Sequence, residues 1–237
     1  MGRTVLDALY PRVCPLCERL LLPGEVYVCA DCAGKLPWAK EPRCQRCGKP
    51  IRSQENLYCA DCARKEHLYI QGCAAFVYEG RLRQSVDKLK FFNRRCYAPF
   101  YGAAMKIAGS SFIRKWGIRC VVPVPMHPKK RAERGYDQAA LIARELGRRT
   151  GLPVIGDALV RVRYTRASKR LGREMRQKNM RNAFAVRPGA DIPEPVLLVD
   201  DIYTTGMTMD EASKALRKAG VTQIFFMTLC IVRGEEA

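Results

Sequence analysis

The sequence lacks what a membrane-spanning or secreted protein would need. Its longest strongly apolar stretch, residues 224–232, falls well short of the ~20 residues of a spanning helix. Residues 1–12 contain no apolar core of the kind that marks a signal peptide, so the expectation is a cytoplasmic protein without membrane insertion. Acidic residues are also scarce, with 23 Asp and Glu against 42 Lys and Arg, for a formal charge of +19. That imbalance points to a polyanionic partner: nucleic acid, a phosphorylated metabolite or anionic lipid. Long disordered tracts are excluded, because 48% of the 237 residues are hydrophobic and only 27% charged. A chain of this length buries a real core, either as one mid-sized domain with a small module or as two small domains.

Cysteine, in contrast, is abundant. Of the 12 cysteines, eight form four Cys-x-x-Cys pairs: Cys14/Cys17, Cys29/Cys32, Cys44/Cys47 and Cys59/Cys62. Shifting the first two pairs by 30 residues superimposes them on the second two, and Cys-Ala-Asp-Cys recurs at 29–32 and 59–62, so the segment is duplicated. Each copy supplies two knuckles of the type that place four thiolates on one tetrahedral metal, and Gly48 suits a tight knuckle turn. Two four-cysteine zinc sites are expected, grouped sequentially. A redox dithiol would need a thioredoxin-like context that is missing here, and an iron–sulfur cluster is the other competitor. Metal binding of this kind supplies about 10–16 kcal/mol in finger-type peptides, enough to order a module too small for its own core. The remaining cysteines, Cys73, Cys96, Cys120 and Cys230, stand singly in mostly apolar surroundings and read as buried structural thiols.

From about residue 70 the pattern changes. Residues 72–78 read as a strand, 81–92 as a helix with Leu82, Val86 and Leu89 on one face, and 120–125 as a buried strand ending in a Pro-punctuated turn. Residues 137–151 place Ala139, Ile142, Ala143 and Leu146 on one helical face, with Gly151 as the stop. A strand at 195–199, a helix to about 219 and a strand at 223–232 complete an alternation that predicts a parallel α/β sheet, whose ligands bind at the carboxyl ends of the strands.

The most informative stretch is 196–208, Val-Leu-Leu-Val-Asp-Asp-Ile-Tyr-Thr-Thr-Gly-Met-Thr. A buried strand delivers Asp200 and Asp201 at its end, and a Thr-rich loop then runs into a helix. Free N–H groups at the helix start, backbone exposed by Gly206 and the hydroxyls of Thr204, Thr205 and Thr208 make a phosphate cradle. Thr208 with Glu211 has the spacing of a capping box. Asp200 and Asp201 are placed to accept hydrogen bonds from vicinal hydroxyls, as on a ribose, or to help hold magnesium.

This stretch resembles the phosphoribosyl pyrophosphate (PRPP) signature of type I phosphoribosyltransferases. The duplicated cysteine segment narrows the resemblance to the ComF family. So do Tyr78-Glu-Gly80, Leu89-Lys-Phe91, Val122-Pro-Val-Pro125, His127-Pro-Lys-Lys-Arg131, Arg134-Gly-Tyr-Asp-Gln138 and Asn179-Met-Arg-Asn-Ala-Phe184. The resemblance covers nearly the whole chain. It implies a double zinc ribbon over 1–70 and an α/β domain of type I phosphoribosyltransferase fold over 71–237, with a small hood near 72–97. It further implies that PRPP is bound with magnesium by Asp200, Asp201, Thr204, Thr205, Gly206 and Thr208, while Lys129, Lys130 and Arg131 meet the pyrophosphate. A basic loop over 163–181 would follow, carrying Arg166, Lys169, Arg170, Arg173, Arg176 and Lys178 and closing over pyrophosphate or holding nucleic acid. In an active transferase, Asp200 and Asp201 would be the catalytic pair, holding the ribose during displacement at its anomeric carbon.

ComF proteins are associated with DNA uptake in transformation, which makes single-stranded DNA and other uptake proteins the implied partners. The alternatives are a nucleobase or amido phosphoribosyltransferase and a PRPP-sensing adaptor docked through the ribbons. From residue 72 onward the chain carries 31 basic and 15 acidic residues, so +16 of the charge surrounds the phosphate-binding fold. Phe91, Phe92 and Tyr97 beside Arg94 and Arg95, together with Tyr164, suit a groove that tracks phosphates and stacks bases.

Overall fold

Four buried apolar stretches supply the frame. In a computed structural model, which describes residues 11–164 and 180–233, strands β1 (Gln71–Val77), β2 (Cys120–Pro123), β5 (Val196–Tyr203) and β6 (Ile224–Ile231) form one sheet in the order β1-β6-β5-β2. Every pair in it is parallel, with Val199 opposite Met227 and Pro123 opposite Val199. Two short strands, β3 (Leu159–Arg161) and β4 (Phe184–Val186), pair antiparallel as a separate ribbon. The α/β class and the parallel sheet follow the sequence pattern, because strands buried on both faces read as continuous apolar runs.

Helices cover both faces. Helix α3 (Gly80–Phe91) follows β1, and α4 (Ala98–Lys115) packs on α6 (Gln138–Thr150) over one side of the sheet. The approach of α4 to α6 is close: a Cβ on Gly102 would stand 2.5 Å from the Cβ of Glu145. Helix α7 (Met207–Lys218) connects β5 to β6 and packs against β3 and β4. Helix α6 is capped as the sequence predicts, with the Asp137 carboxylate accepting from the Ala140 N–H and Gly151 ending the helix at φ +75°. A short helix, α5 (Pro128–Arg134), sits between β2 and α6 and ends at Gly135 in the left-handed region.

The cysteine-rich segment is built onto this sheet. Among the described residues, its short helices α1 (Ala30–Ala33) and α2 (Ala60–Arg64) carry the repeated Cys-Ala-Asp-Cys motif. The chain after the first repeat runs along the outer edge of β1, where the Ala39 N–H donates to the Ala75 carbonyl and the Val77 N–H to the Pro37 carbonyl. This contact covers an edge that would otherwise stand unpaired. The Gly72 N–H donates to the Arg46 carbonyl, and a Cβ on Gly48 would come within 2.7 Å of the Gly72 carbonyl oxygen, so the first knuckle of the second repeat needs its glycine both for φ +75° and for space. Cys14, Cys29 and Cys32 join the apolar layer beneath α4 and α6. Cys44, Cys47 and Cys59 join the opposite layer with Tyr69, Tyr203 and Phe226. The duplicated segment therefore contributes one four-cysteine cluster to each face of the sheet. Residues 72–97, expected as a hood, supply β1 at the outer edge of the main sheet and α3 beside it.

Three readings of local chemistry change. Cys96 is exposed, unlike Cys73, Cys120 and Cys230, because it lies in the 3-10 turn Arg95–Tyr97, whose buried residue is Tyr97. Tyr97 is consequently no stacking platform: its ring is core, and its hydroxyl donates to Glu18 at 2.9 Å. Thr208 does not cap α7, since Gly206 at φ +79° is the N-cap and puts Thr208 inside the first turn, while the Glu211 carboxylate accepts from the Asn182 N–H at 2.6 Å.

Candidate functional site

The metal clusters form first, from local spacing. Cys14, Cys17, Cys29 and Cys32 converge, as do Cys44, Cys47, Cys59 and Cys62, with each group's sulfurs within 4.8 Å of one another. The Cys17–Cys29 and Cys47–Cys59 sulfur separations are both 3.7 Å. A tetrahedron with Zn–S bonds of ~2.3 Å has edges of ~3.8 Å, so the donors fit zinc in sequential grouping. Zinc held there would supply a structural cross-link, since each group provides four protein ligands and leaves no open position. At the residue following the second cysteine of each first knuckle, repeat two uses Gly48, whereas repeat one uses Glu18 at φ +61°. The Glu18 carboxylate is tied to Lys88, Arg94 and the Tyr97 hydroxyl, contacts that hold an unfavourable backbone in place and fasten the first ribbon to α3. Hydrogen bonding to Lys88, then to Tyr97, holds that carboxyl below the ordinary glutamate value.

The second site lies at the carboxyl end of β5. Asp200, Ile202, Tyr203, Thr204, Gly206, Thr208 and Met209 line a small cleft above the start of α7. The structure therefore brings Asp200, Thr204, Gly206 and Thr208 together, as the sequence implied. Thr205 differs, for its hydroxyl oxygen is buried and finds no hydrogen-bond partner among the described residues. Asp201 also differs: its buried carboxylate forms an ion pair with Lys90 of α3 at 2.8 Å. Asp200 accepts from the Asp201 N–H at 2.8 Å. Burial, followed by the neighbouring Asp201 charge, pushes the Asp200 carboxyl well above the usual carboxylate range. For Lys90, burial works to lower the ammonium pKa, but Asp201 carries it above the ordinary lysine value.

Lys90 was not singled out by sequence, yet the signal was present. It lies four residues after Val86 and eight after Leu82, on the stripe that α3 buries, and a charge on such a stripe asks for a buried partner. Arg161 of β3 was missed for lack of any motif. Burial lowers its pKa, opposed by the charges of Asp200 and Asp137, so a guanidinium stands within electrostatic reach of the acid pair.

The basic residues expected at pyrophosphate are not equivalent. Lys129 and Arg131 are exposed on α5, whereas Lys130 is half-buried, and burial, helped by Arg161 and Arg134, lowers its pKa. The Lys129 and Lys130 ammonium groups stand 5.9 and 5.7 Å from the centroid of the Tyr164 ring. Arg166, Lys169, Arg170, Arg173, Arg176 and Lys178 lie outside the described residues. The Arg134-Gly-Tyr-Asp-Gln138 motif is scaffold in this structure. Gly135 ends α5, the Tyr136 hydroxyl donates to the Leu89 carbonyl, and Asp137 receives the Met126 N–H at 2.8 Å besides capping α6. These bonds tie α3 and the 124–127 loop to the start of α6.

Beneath the cleft, the chain just past the second metal cluster forms the floor. Asp210 of α7 pairs with Lys65 and with His67 at 3.0 Å, and it accepts from the Leu68 N–H at 3.3 Å. The Tyr69 and Tyr203 hydroxyls are hydrogen bonded at 2.8 Å. A Cβ on Gly206 would stand 2.5 Å from the Tyr203 hydroxyl and 3.0 Å from the His67 ring, so only glycine fits this turn. Burial works to raise the Asp210 pKa, but hydrogen bonds from His67 and Lys65 prevail and lower it. A carboxyl so depressed stabilises the fold above its unfolded pKa, and that contribution is lost as pH falls through the folded value. Asp210→Asn is accordingly expected to cost about 3 kcal/mol at pH 7, read by urea unfolding, and the gap to the parent protein should close in strong acid. A gap that stays constant down the pH scale would contradict an ionised Asp210 as the keystone.

Comparison with known proteins agrees with this construction. Residues 5–63 match the double zinc ribbon domain family. The chain is 31% identical to "Competence protein F" of Haemophilus influenzae over 216 residues, covering 83% of this chain and 93% of that protein. It is 25% identical to "DNA utilization protein YhgH" of Escherichia coli over 226 residues, covering 93% and 97%. "Competence protein ComFC" of Streptococcus pneumoniae is 27% identical over 221 residues, covering 90% and 91%. Among the described residues no helix is long and apolar enough to cross a membrane. With two four-cysteine clusters joined to a parallel α/β sheet, and likeness to these competence and DNA utilization proteins along most of its length, the chain belongs to the ComF family of double zinc-ribbon proteins.

Proposed function

We propose that this protein binds PRPP with magnesium in the cleft at the end of β5 and single-stranded DNA on the neighbouring basic surface, acting in the handling of incoming DNA. One observation carries the first half: Asp200, Thr204, Gly206 and Thr208 line a single cleft over the start of the twelve-residue helix α7. N–H groups of the first turn, which have no partner within the helix, together with the Thr204 and Thr208 hydroxyls, supply donors for a phosphate monoester. Asp200 would accept hydrogen bonds from the ribose, and Lys129, Lys130 and Arg131 on α5 would meet the pyrophosphate with its magnesium. Its relatives, which are competence proteins and DNA utilization proteins, support the DNA half.

Transfer to a base or amine is the second reading. Around residues 78–92, where an acceptor would sit, the Tyr78 hydroxyl is spent on Asp87 at 3.0 Å, while Glu79, Arg81, Arg83, Gln84 and the rings of Phe91 and Phe92 are exposed.

The test is calorimetric titration of zinc-loaded protein with PRPP, with and without magnesium. Magnesium-dependent binding is expected, weakened about 10- to 100-fold in Asp200→Asn/Asp201→Asn through loss of charge-assisted hydrogen bonds, with DNA affinity unaltered. Absence of PRPP binding would overturn the reading, and release of pyrophosphate with a purine, pyrimidine or amine would replace it with an active transferase.

A further inference from the structure

The Asp200–Asp201 pair has a cation built into it. Lys90 reaches the pair from α3, with its side chain 17% exposed and its ammonium 2.8 Å from an Asp201 carboxylate oxygen. The turn that precedes it is held twice: Leu89 gives its carbonyl to the Tyr136 hydroxyl, and the Lys88 side chain is paired with Glu18. Other groups within electrostatic reach include Arg161, which feels the charge of Asp200, the buried Cys230 thiol, which feels Asp201 and Lys90, and Asp137, which is committed to the Met126 and Ala140 N–H groups. Asp200 and Asp201 lie within β5, whose pairing with β6 continues to Tyr203, and a divalent ion there would need a cluster of oxygen ligands and a net negative charge. Here an ammonium fixed by the fold already occupies the electrostatic position of that ion.

We infer that Lys90 is a specificity-determining residue that neutralises Asp201, so that the pair accepts the neutral vicinal hydroxyls of a pentose and refuses a divalent cation, which would need both carboxylates free. Magnesium is thereby confined to the pyrophosphate end of the ligand, against α5. The sugar part of this statement rests on the PRPP reading, whereas the exclusion of metal does not.

Full-length zinc-loaded protein, titrated with Mn²⁺ in the absence of PRPP and followed by electron paramagnetic resonance of the free ion, tests the metal arm. The parent protein and Lys90→Arg should leave Mn²⁺ free. Lys90→Met and Lys90→Gln should each bind Mn²⁺, and a further Asp201→Asn change should abolish that binding. In the second arm, PRPP affinity should fall roughly tenfold or more in Lys90→Met and Lys90→Gln, as for loss of a charged partner, and recover in Lys90→Arg. Mn²⁺ held by the parent protein and released on Asp201→Asn would overturn the inference, as would Mn²⁺-silent Lys90→Met and Lys90→Gln proteins that both fold. Should the parent protein bind no PRPP at all, the PRPP reading falls alone, because the Mn²⁺ comparison still decides the role of Lys90.

Discussion

Replacing Cys47 by serine is expected to lower the zinc content from two ions per chain to one and to remove most of the protein's net stability. Cys47 is fully buried and belongs to the apolar layer that also contains Tyr69, Tyr203 and Phe226, so its cluster is part of the core of the main sheet. A structural zinc site is worth about 10–16 kcal/mol in finger peptides, against a net stability of about 5–15 kcal/mol for a whole domain. Even partial loss exhausts the margin. Elemental analysis gives the zinc content, and thermal unfolding with limited proteolysis gives the stability.

The two clusters should differ in one respect. The second is followed directly by Lys65, His67 and Tyr69, which hold Asp210 and Tyr203 under the phosphate turn. The first is fastened instead to α3 through Glu18. In variants mild enough to fold, such as Cys62→His against Cys32→His, PRPP affinity should fall further for the second cluster. Equal losses at both would mean that the floor formed by residues 65–69 does not transmit the state of its zinc site.

The cysteine clusters and the strand–turn–helix that gathers Asp200, Thr204, Gly206 and Thr208 were legible because their spacing is local. Cys-x-x-Cys at a 30-residue repeat gives the ligand grouping without knowledge of the sheet, and Asp-Asp followed by Thr-Thr-Gly places acids and donors within one strand-turn-helix. Helix α4 was not legible. Gly102 and Gly109 weaken helix propensity along its length, and they are there for close packing, on Glu145 of α6 and Met227 of β6. Lys90 and Arg161 were missed for the opposite reason: their meaning lies in acids far away in sequence, brought near only by the fold. The capping box at Thr208 and Glu211 failed because a left-handed Gly206 had already set the start of the helix. Tyr97 took one of two readings open to it: an aromatic beside two arginines suits either base stacking or core packing, and here the ring turns inward.

DNA binding should be steeply dependent on salt, with affinity for a single-stranded oligonucleotide dropping roughly a hundredfold between 50 and 200 mM if about five phosphates are neutralised at a slope near −0.7 each. The surface suited to it alternates rings and cations. Phe91 and Phe92 are 65% and 71% exposed, the Arg134 guanidinium lies 5.5 Å from the Phe91 centroid, and Tyr164, 45% exposed, has Lys129 and Lys130 beside it. Rings and charges make separable contributions. Lys129→Glu and Arg131→Glu should each flatten the salt slope by about 0.7 for every phosphate that is no longer neutralised. Phe92→Ala should instead cost about 1–3 kcal/mol, as for one stacked base, and leave the slope unchanged. Fluorescence anisotropy across a salt series distinguishes the two. A slope insensitive to the α5 charges, with full affinity in Phe92→Ala, would move DNA off this face and leave the excess charge of α5 to pyrophosphate alone.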